Sequence, residues 1–500
     1  MSGKIFCHVL FSGLVFVSAA FSQTALSPPL TSHTALKAKL EELARSSKVM
    51  KLEVIGKSVE GRELFAAKFS RKHPIPQKDR KKPLVLVFAQ QHGNEPSGKE
   101  AALQLCEEFA RGMFDDLLKK VDVIIVPQMN PDGSERGVRR NANDQDLNRN
   151  HILLDQPEVA ALHALFRRYF PEVTLDVHEY NDYVPGRLRT GWVRAYDEML
   201  GAATNPNVSK ALVRYSLETI MPGVGGYVRS QGFSFHRYLV GGPPERYRYR
   251  YSTTAINDGR NSLAIYHTLS FIVEGRRYGD LTTRLERRRA AQRAAILGLI
   301  RTVAENGKEI LRLVQQEREA LQKGAAAIPF IAPRSNYLHV AGVPLPLRIE
   351  LIPQSVETDT VFRNFTPRLK VPFYLSRPVG YLIPRRLTEF IEILQRHGVR
   401  MLDTFPARQC LTETYRIQAL STYVSEEKTY LDVSVRSRFS LQTVDPGEYV
   451  YVPVAQPAGH YICLVLEPQS QNALIQYPQF YGLLQVGRDY PVLRALEWKE

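Results

Sequence analysis

A chain of 500 residues, 44% hydrophobic and 23% charged, can bury a sizeable core unaided, which excludes a disordered segment and a disulfide-stapled miniprotein. Its formal net charge of +15 comes from arginines spread along the chain, with no stacking platform of interleaved aromatics. That argues against a nucleic-acid partner and leaves room for attraction to an anionic cell envelope.

Lys4 precedes an apolar run from Ile5 to Ala20, and small residues follow at Ala20-Phe21-Ser22. A charged start, an apolar centre and small residues at a cut describe a cleavable signal peptide over 1–22, and hence a secreted or periplasmic protein. The run is shorter than the ~20 residues needed to span a bilayer, so no transmembrane segment is expected in the mature chain. Loss of Cys7 leaves Cys106, Cys410 and Cys463, enough for one disulfide and a spare thiol.

Periodicity predicts a helix over 34–46, then a hairpin of 51–56 and 64–69 about the turn Val59-Glu60-Gly61-Arg62. The continuous apolar run Leu84 to Ala89 reads as a strand buried on both faces, and 121–126, 173–177 and 269–273 resemble it. Helical patterns at 97–111 and 157–169 lie between them. The alternation predicts an α/β fold, a mixed and mostly parallel central sheet with helices on both faces. Ligand sites in such sheets lie beyond the carboxyl ends of the strands. Residues 180–261 read as loops and a short helix walling the site. Residues 281–322 read as a closing helical segment, with Arg287, Arg288 and Arg289 on its solvated face. From Ile328 short β-rich runs dominate, including 430–434, 448–454 and 461–466, with one helix over 382–397. The expected division is therefore a first domain over 23–325 and a mainly β region over 328–500.

Three strand ends carry chemistry. His92-Gly93-Asn94-Glu95 follows the first buried run and can offer imidazole and carboxylate to one ion. His178 ends the run 173–177, and a third ligand there leaves a fourth position open to water. Glu274 follows 269–273, and a carboxylate at the end of a buried strand needs a task or a partner. Arg276 and Arg277 are the structural alternative; general base toward a metal-activated water is the functional one. Asn130-Pro131-Asp132-Gly133 and the string from Arg139 to Asn150 add arginine forks suited to carboxylates and oxyanions.

Together, Val59-Glu60-Gly61-Arg62, His92-Gly93-Asn94-Glu95, Asn130-Pro131-Asp132-Gly133, Arg139-x-Asn141, Asp146-Leu147-Asn148-Arg149-Asn150, His178 and Glu274 resemble the zinc metallocarboxypeptidase family of the carboxypeptidase A type. The order and spacing match over about 35–320. The resemblance implies a zinc carboxypeptidase-like catalytic domain, one Zn2+ on His92, Glu95 and His178, and Glu274 as the base that later protonates the leaving amine. It implies that Arg139 polarises the scissile carbonyl, and that Asn148 and Arg149 hold the terminal carboxylate of a peptide or peptide-like substrate. The family's tyrosine falls nearest Tyr251, with Tyr247 and Tyr249 competing. Asp144-Gln145 stands where the family often has Gly-Val. The β region is similar to that of large secreted bacterial members.

Three readings follow. The first is a carboxypeptidase releasing C-terminal residues. The second is a cell-wall peptide endopeptidase or acyl-amino-acid amidohydrolase on the same zinc site. The third is a non-catalytic binding protein on a peptidase scaffold, against which the presence of both Glu274 and Arg139 argues.

Overall fold

The computed structural model describes residues 30–77, 79–242, 248–338, 342–363, 365–404 and 408–499. The expected signal segment, 1–22, lies outside the described residues, as does Tyr247. An eight-stranded mixed sheet forms the centre. Its strands are β1 (Met50–Lys57), β2 (Glu63–Phe69), β3 (Leu84–Ala89), β4 (Asp122–Val126), β5 (Val173–Asn181), β7 (Glu198–Ala202), β8 (Phe235–Arg237) and β9 (Leu269–Arg277); the intervening β6 (Trp192–Arg194) belongs to another sheet. The order is β1-β2-β4-β3-β5-β9-β7-β8. The inner strands β4, β3, β5 and β9 are parallel; β1, β2 and β7 pair antiparallel to their inner neighbours.

The pleat sends alternate residues of β3 to opposite faces. Leu84, Leu86 and Phe88 join one core with Leu162, Leu165 and Phe166 of the helix Pro157–Tyr169. Val85, Val87 and Ala89 join the other with the helices His33–Ser46, Pro96–Ala110, Leu285–Glu305 and Gly307–Gln322. Both faces are thus covered, which is why these strands read as unbroken apolar runs.

The first core continues into the C-terminal region, through Tyr381, Ile383, Phe390 and the helix Gly459–Leu466. That region carries a five-stranded antiparallel sheet built on the long hairpin Arg408–Ser425 and Lys428–Val444. A second link is the pairing of β6 with Leu345–Leu351, which joins the two parts of the chain in one three-stranded sheet.

Several expectations are corrected. Residues 461–466 form a helix buried on all sides, and a short apolar run with no polar face carries no period to distinguish it from a strand. The segment 382–397 divides into a strand, Gly380–Pro384, and a helix, Thr388–Arg396. Residues 180–261 contribute β7 and β8 to the central sheet and a helical stretch over 210–230, whose Pro222, Gly223, Gly225 and Gly226 obscured its period. Arg288 is buried and ion-paired to Glu179 at 2.7 Å rather than solvated. Cys106, Cys410 and Cys463 are all buried free thiols, so the permitted disulfide is absent among the described residues. No helix of the described residues is long and apolar enough to cross a membrane.

Candidate active site

Strand β3 stops at Ala89, and Gln90 takes a left-handed conformation with φ of 60°, which turns the chain sharply into His92. Gly93 is required there: a Cβ would lie 2.1 Å from the backbone carbon of Gly133. The Asn-Pro-Asp-Gly segment therefore packs directly on the His92 turn. Asn130 Nδ2 fastens it by donating to Gln91 O at 3.1 Å. Asp132 in turn accepts from Ser58 Oγ at 2.7 Å, Glu60 N at 3.0 Å and Arg62 at 2.6 Å, so the hairpin turn 59–62 braces the same spot. Glu95 occupies the N-cap position of the helix Pro96–Ala110 but makes no capping bond with its side chain. Ser97 N is satisfied instead by Glu179 Oε2 at 3.2 Å, which leaves the Glu95 carboxylate to face the site.

His92, Glu95 and His178 are all buried and converge. Nδ1 of His92 lies 2.9 Å from Glu95 Oε1, Nδ1 of His178 lies 3.0 Å from Glu95 Oε2, and the two Nδ1 atoms are 3.1 Å apart. One donor atom from each residue lies within 4.8 Å of the other two, and tetrahedral bonds of 2.0–2.1 Å to zinc need such atoms about 3.3–3.4 Å apart, so a small movement apart would seat one such ion. The other ring nitrogens point at carboxylates: His92 Nε2 is 3.1 Å from Asp146 Oδ1, and His178 Nε2 is 2.8 Å from Asp176 Oδ1. With the ring protons held on Nε2, each Nδ1 presents a lone pair to the centre. Three electron-pair donors with no proton between them call for a cation. The surrounding carboxylates draw positive charge to this centre, a proton standing where a cation would bind. Burial pulls the His178 imidazole down, yet the Asp176 and Glu95 carboxylates hold it well above the usual histidine range. Burial pushes Glu95 up, yet His92 and His178 hold it well below the carboxylate range.

His178 and Glu274 lie inside β5 and β9 rather than at the strand ends, because both strands run on for three more residues, to Asn181 and Arg277. The polar run-on hid this in the sequence. Burial, with Glu95 nearby, raises the Glu274 carboxyl. Neither adjacent arginine neutralises it: Arg276 pairs with Glu350 at 2.5 Å, and Arg277 donates to Asn94 O at 2.5 Å. Tyr238 lines the same cleft, and the nearby Glu274 carboxylate adds to burial in raising its hydroxyl. Tyr251 instead lies beneath Arg237 and meets Phe365 edge-on, and Tyr249 is buried in the cluster against which Tyr251 and Tyr238 pack.

Arg139 donates to Asp146 Oδ2 from Nε at 3.1 Å and Nη2 at 3.0 Å, and its Nη1 is 3.5 Å from Glu95 Oε1. Asn148 Oδ1 accepts from Gly259 N at 2.8 Å, and its Nδ2 sits 3.3 Å from His178 Nε2. Arg149 is exposed and donates to the Asn148 carbonyl at 2.5 Å. Asp144 takes φ of 55°, the conformation a glycine adopts easily, which accounts for the family's glycine there and for aspartate being tolerated. All the sequence-predicted site residues except His178 line one cleft of about 540 Å3, and His178 lies buried behind it. Sequence reasoning missed Asp146 as a histidine partner, Asp176, Gln91 and Tyr238. Gln91 Nε2 donates to both Asp176 oxygens at 3.0 and 2.9 Å. An acidic residue two before a candidate histidine on one strand shares its face, and was the available signal for Asp176.

Residues 36–185 match the family described as Zinc carboxypeptidase. Over nearly its whole length the chain is similar to Carboxypeptidase 2 of Trichophyton rubrum: 24% identical over 497 residues, 96% of this chain and 88% of the relative. A shorter stretch is 36% identical to Carboxypeptidase E of Caenorhabditis elegans over 141 residues, 24% of this chain and 29% of that one. Among solved structures, a metallo-carboxypeptidase from Pseudomonas aeruginosa aligns with a TM-score of 0.41 and 24% identity, covering 55% of this chain and 68% of that one. The family match and the near-full-length fungal relatives support a peptide hydrolase of the zinc carboxypeptidase kind.

Proposed function

We propose that the chain is an exported carboxypeptidase that releases C-terminal residues from peptides, using one divalent cation held by His92, Glu95 and His178. The observation that carries the reading is the three-atom convergence backed by Asp146 and Asp176. When bound, zinc supplies Lewis acidity and lowers the pKa of a coordinated water toward ~7. Glu274, beside His178, takes the proton of the attacking water and returns it to the leaving amine. Arg139 polarises the carbonyl and stabilises the negative oxygen. Arg149 holds the terminal carboxylate. Asn148 acts on the same group through its place next to Arg149 in the chain.

The catalytic unit is taken as 23–325 and the β region as 328–500, with export directed by residues 1–22 and the +15 charge favouring an anionic envelope. Similarity to large secreted members with an appended β region fits this placement. Incubating the protein with a mixed peptide library, with and without chelator, tests the reading by product mass. Chelator-sensitive loss of single C-terminal residues supports it. Internal cuts in cell-wall peptides or release of acyl groups would favour the second reading, and no chelator-sensitive product would favour a binding protein.

A further inference from the structure

The long C-terminal hairpin ends at the active-site cleft. Its last pair is Ser425 with Lys428, leaving Glu426 and Glu427 as a two-residue turn with φ of 51° and 67°. Such turns favour Asn-Gly because both central residues need positive φ, so two glutamates are held there against local preference. Backbone held in a sparsely populated region concentrates at functional sites. Glu426 fastens the tip to the cleft wall: its Oε1 accepts from Thr254 N at 2.9 Å and Thr254 Oγ1 at 2.8 Å. Glu426, Glu427 and Lys428 line the same cleft as His92, Glu95 and Glu274.

The tip brings charge. Lys428 and Arg149 have no ion-pair partner among the described residues. Arg250, on the same cleft, has its Nη1 buried without a partner, and Glu427 reaches its Nη2 only at 3.9 Å. Asp258 and Glu426 are already engaged, with Arg260 at 3.0 Å and with Thr254. Burial and the Arg149 guanidinium hold the Lys428 ammonium below the usual lysine range, against the opposing pull of the Glu426, Asp258 and Asp146 carboxylates.

We propose that the hairpin tip is a substrate-recognition element in which Lys428, beside Arg149, binds a second carboxylate, so that the residue released carries an acidic side chain. This rests on the carboxypeptidase reading. The terminal carboxylate sits on Arg149 and the side-chain carboxylate on Lys428, with Arg250 adding to the positive field. Among the described residues, no other part of the β region lines the cleft.

The test compares two peptides that differ only in a C-terminal Glu or Gln, using the full chain loaded with zinc. The wild type is expected to show kcat/KM at least tenfold higher for the Glu peptide. Lys428→Met should lower kcat/KM for the Glu peptide about tenfold more than for the Gln peptide, and Lys428→Arg should restore the preference. Lys428→Glu should turn the preference toward a Lys-terminated peptide. Equal release of the Glu and Gln peptides by the wild type, or an equal fall for both in Lys428→Met, would overturn the subsite while leaving the carboxypeptidase reading intact. No chelator-sensitive release from any of these peptides would overturn both.

Discussion

His178 and Glu274 are register partners on the adjacent parallel strands β5 and β9. Paired residues of neighbouring strands point to the same face, so the carboxylate stands beside a candidate metal ligand without helping to hold the ion. Glu274→Gln keeps the shape and removes the base. Zinc content should stay at the wild-type level while kcat falls by about 10²–10⁴-fold. Metal analysis and steady-state kinetics on one preparation check both halves.

The Asp176 carboxylate is 2.8 Å from His178 Nε2 and is held by Gln91. Asp176→Asn should weaken zinc binding about 10–100-fold, since a ligand histidine loses both orientation and basicity when its carboxylate partner goes. Competition with a graded chelator measures this, and the circular dichroism spectrum should be unchanged.

Tyr238, on the same cleft, favours the ionised form of Glu274, opposing the upward push of burial. In Tyr238→Phe the carboxyl should therefore protonate more readily. The acid limb of the kcat/KM profile should move to higher pH, with activity down about three- to tenfold near neutrality, in proportion to a lost polar interaction of about 1 kcal/mol. A Tyr251→Phe control should leave that limb in place.

His267 and His397 are buried and lie outside the metal triad, and burial lowers their imidazoles to about 4 and about 3. Their unfolded values lie near 6.5, so between that pH and about 4 the unfolded chain binds protons that the folded chain refuses. Stability contributed by the neutral rings is fully present above ~6.5 and is lost as pH falls, by up to about 1.4 kcal/mol per pH unit for each ring. Urea titrations should show a steep decline over that window, and His397→Gln should flatten it.

Much of the site could be read from sequence because its ligands come from turns that nothing else explains. Gly93 must be glycine because Gly133 lies against it, and Asp132 must be acidic because Ser58, Glu60 and Arg62 all donate to it. Those local constraints leave motifs. The inner strands were legible because both faces are buried. Tyr238 was not, because a short strand of partly buried residues, Phe235–Arg237, has no alternation to announce it. The hairpin tip was invisible for a different reason: its approach to the cleft depends on Glu426 meeting Thr254 across a gap in sequence that no local pattern spans. Helix Gly459–Leu466 shows the limit in the core, where complete burial erases the amphipathic period.

The catalytic reading requires His92, Glu95 and His178 to share one cation. Counting tightly bound zinc per folded chain, in the wild type and in His178→Ala with matched thermal unfolding, tests it most directly. One zinc per wild-type chain is expected, with near-complete loss in the variant and X-ray absorption showing two imidazole nitrogens with oxygen completing the sphere. A variant that keeps full zinc occupancy, or a wild-type ion bound through sulfur, would contradict it.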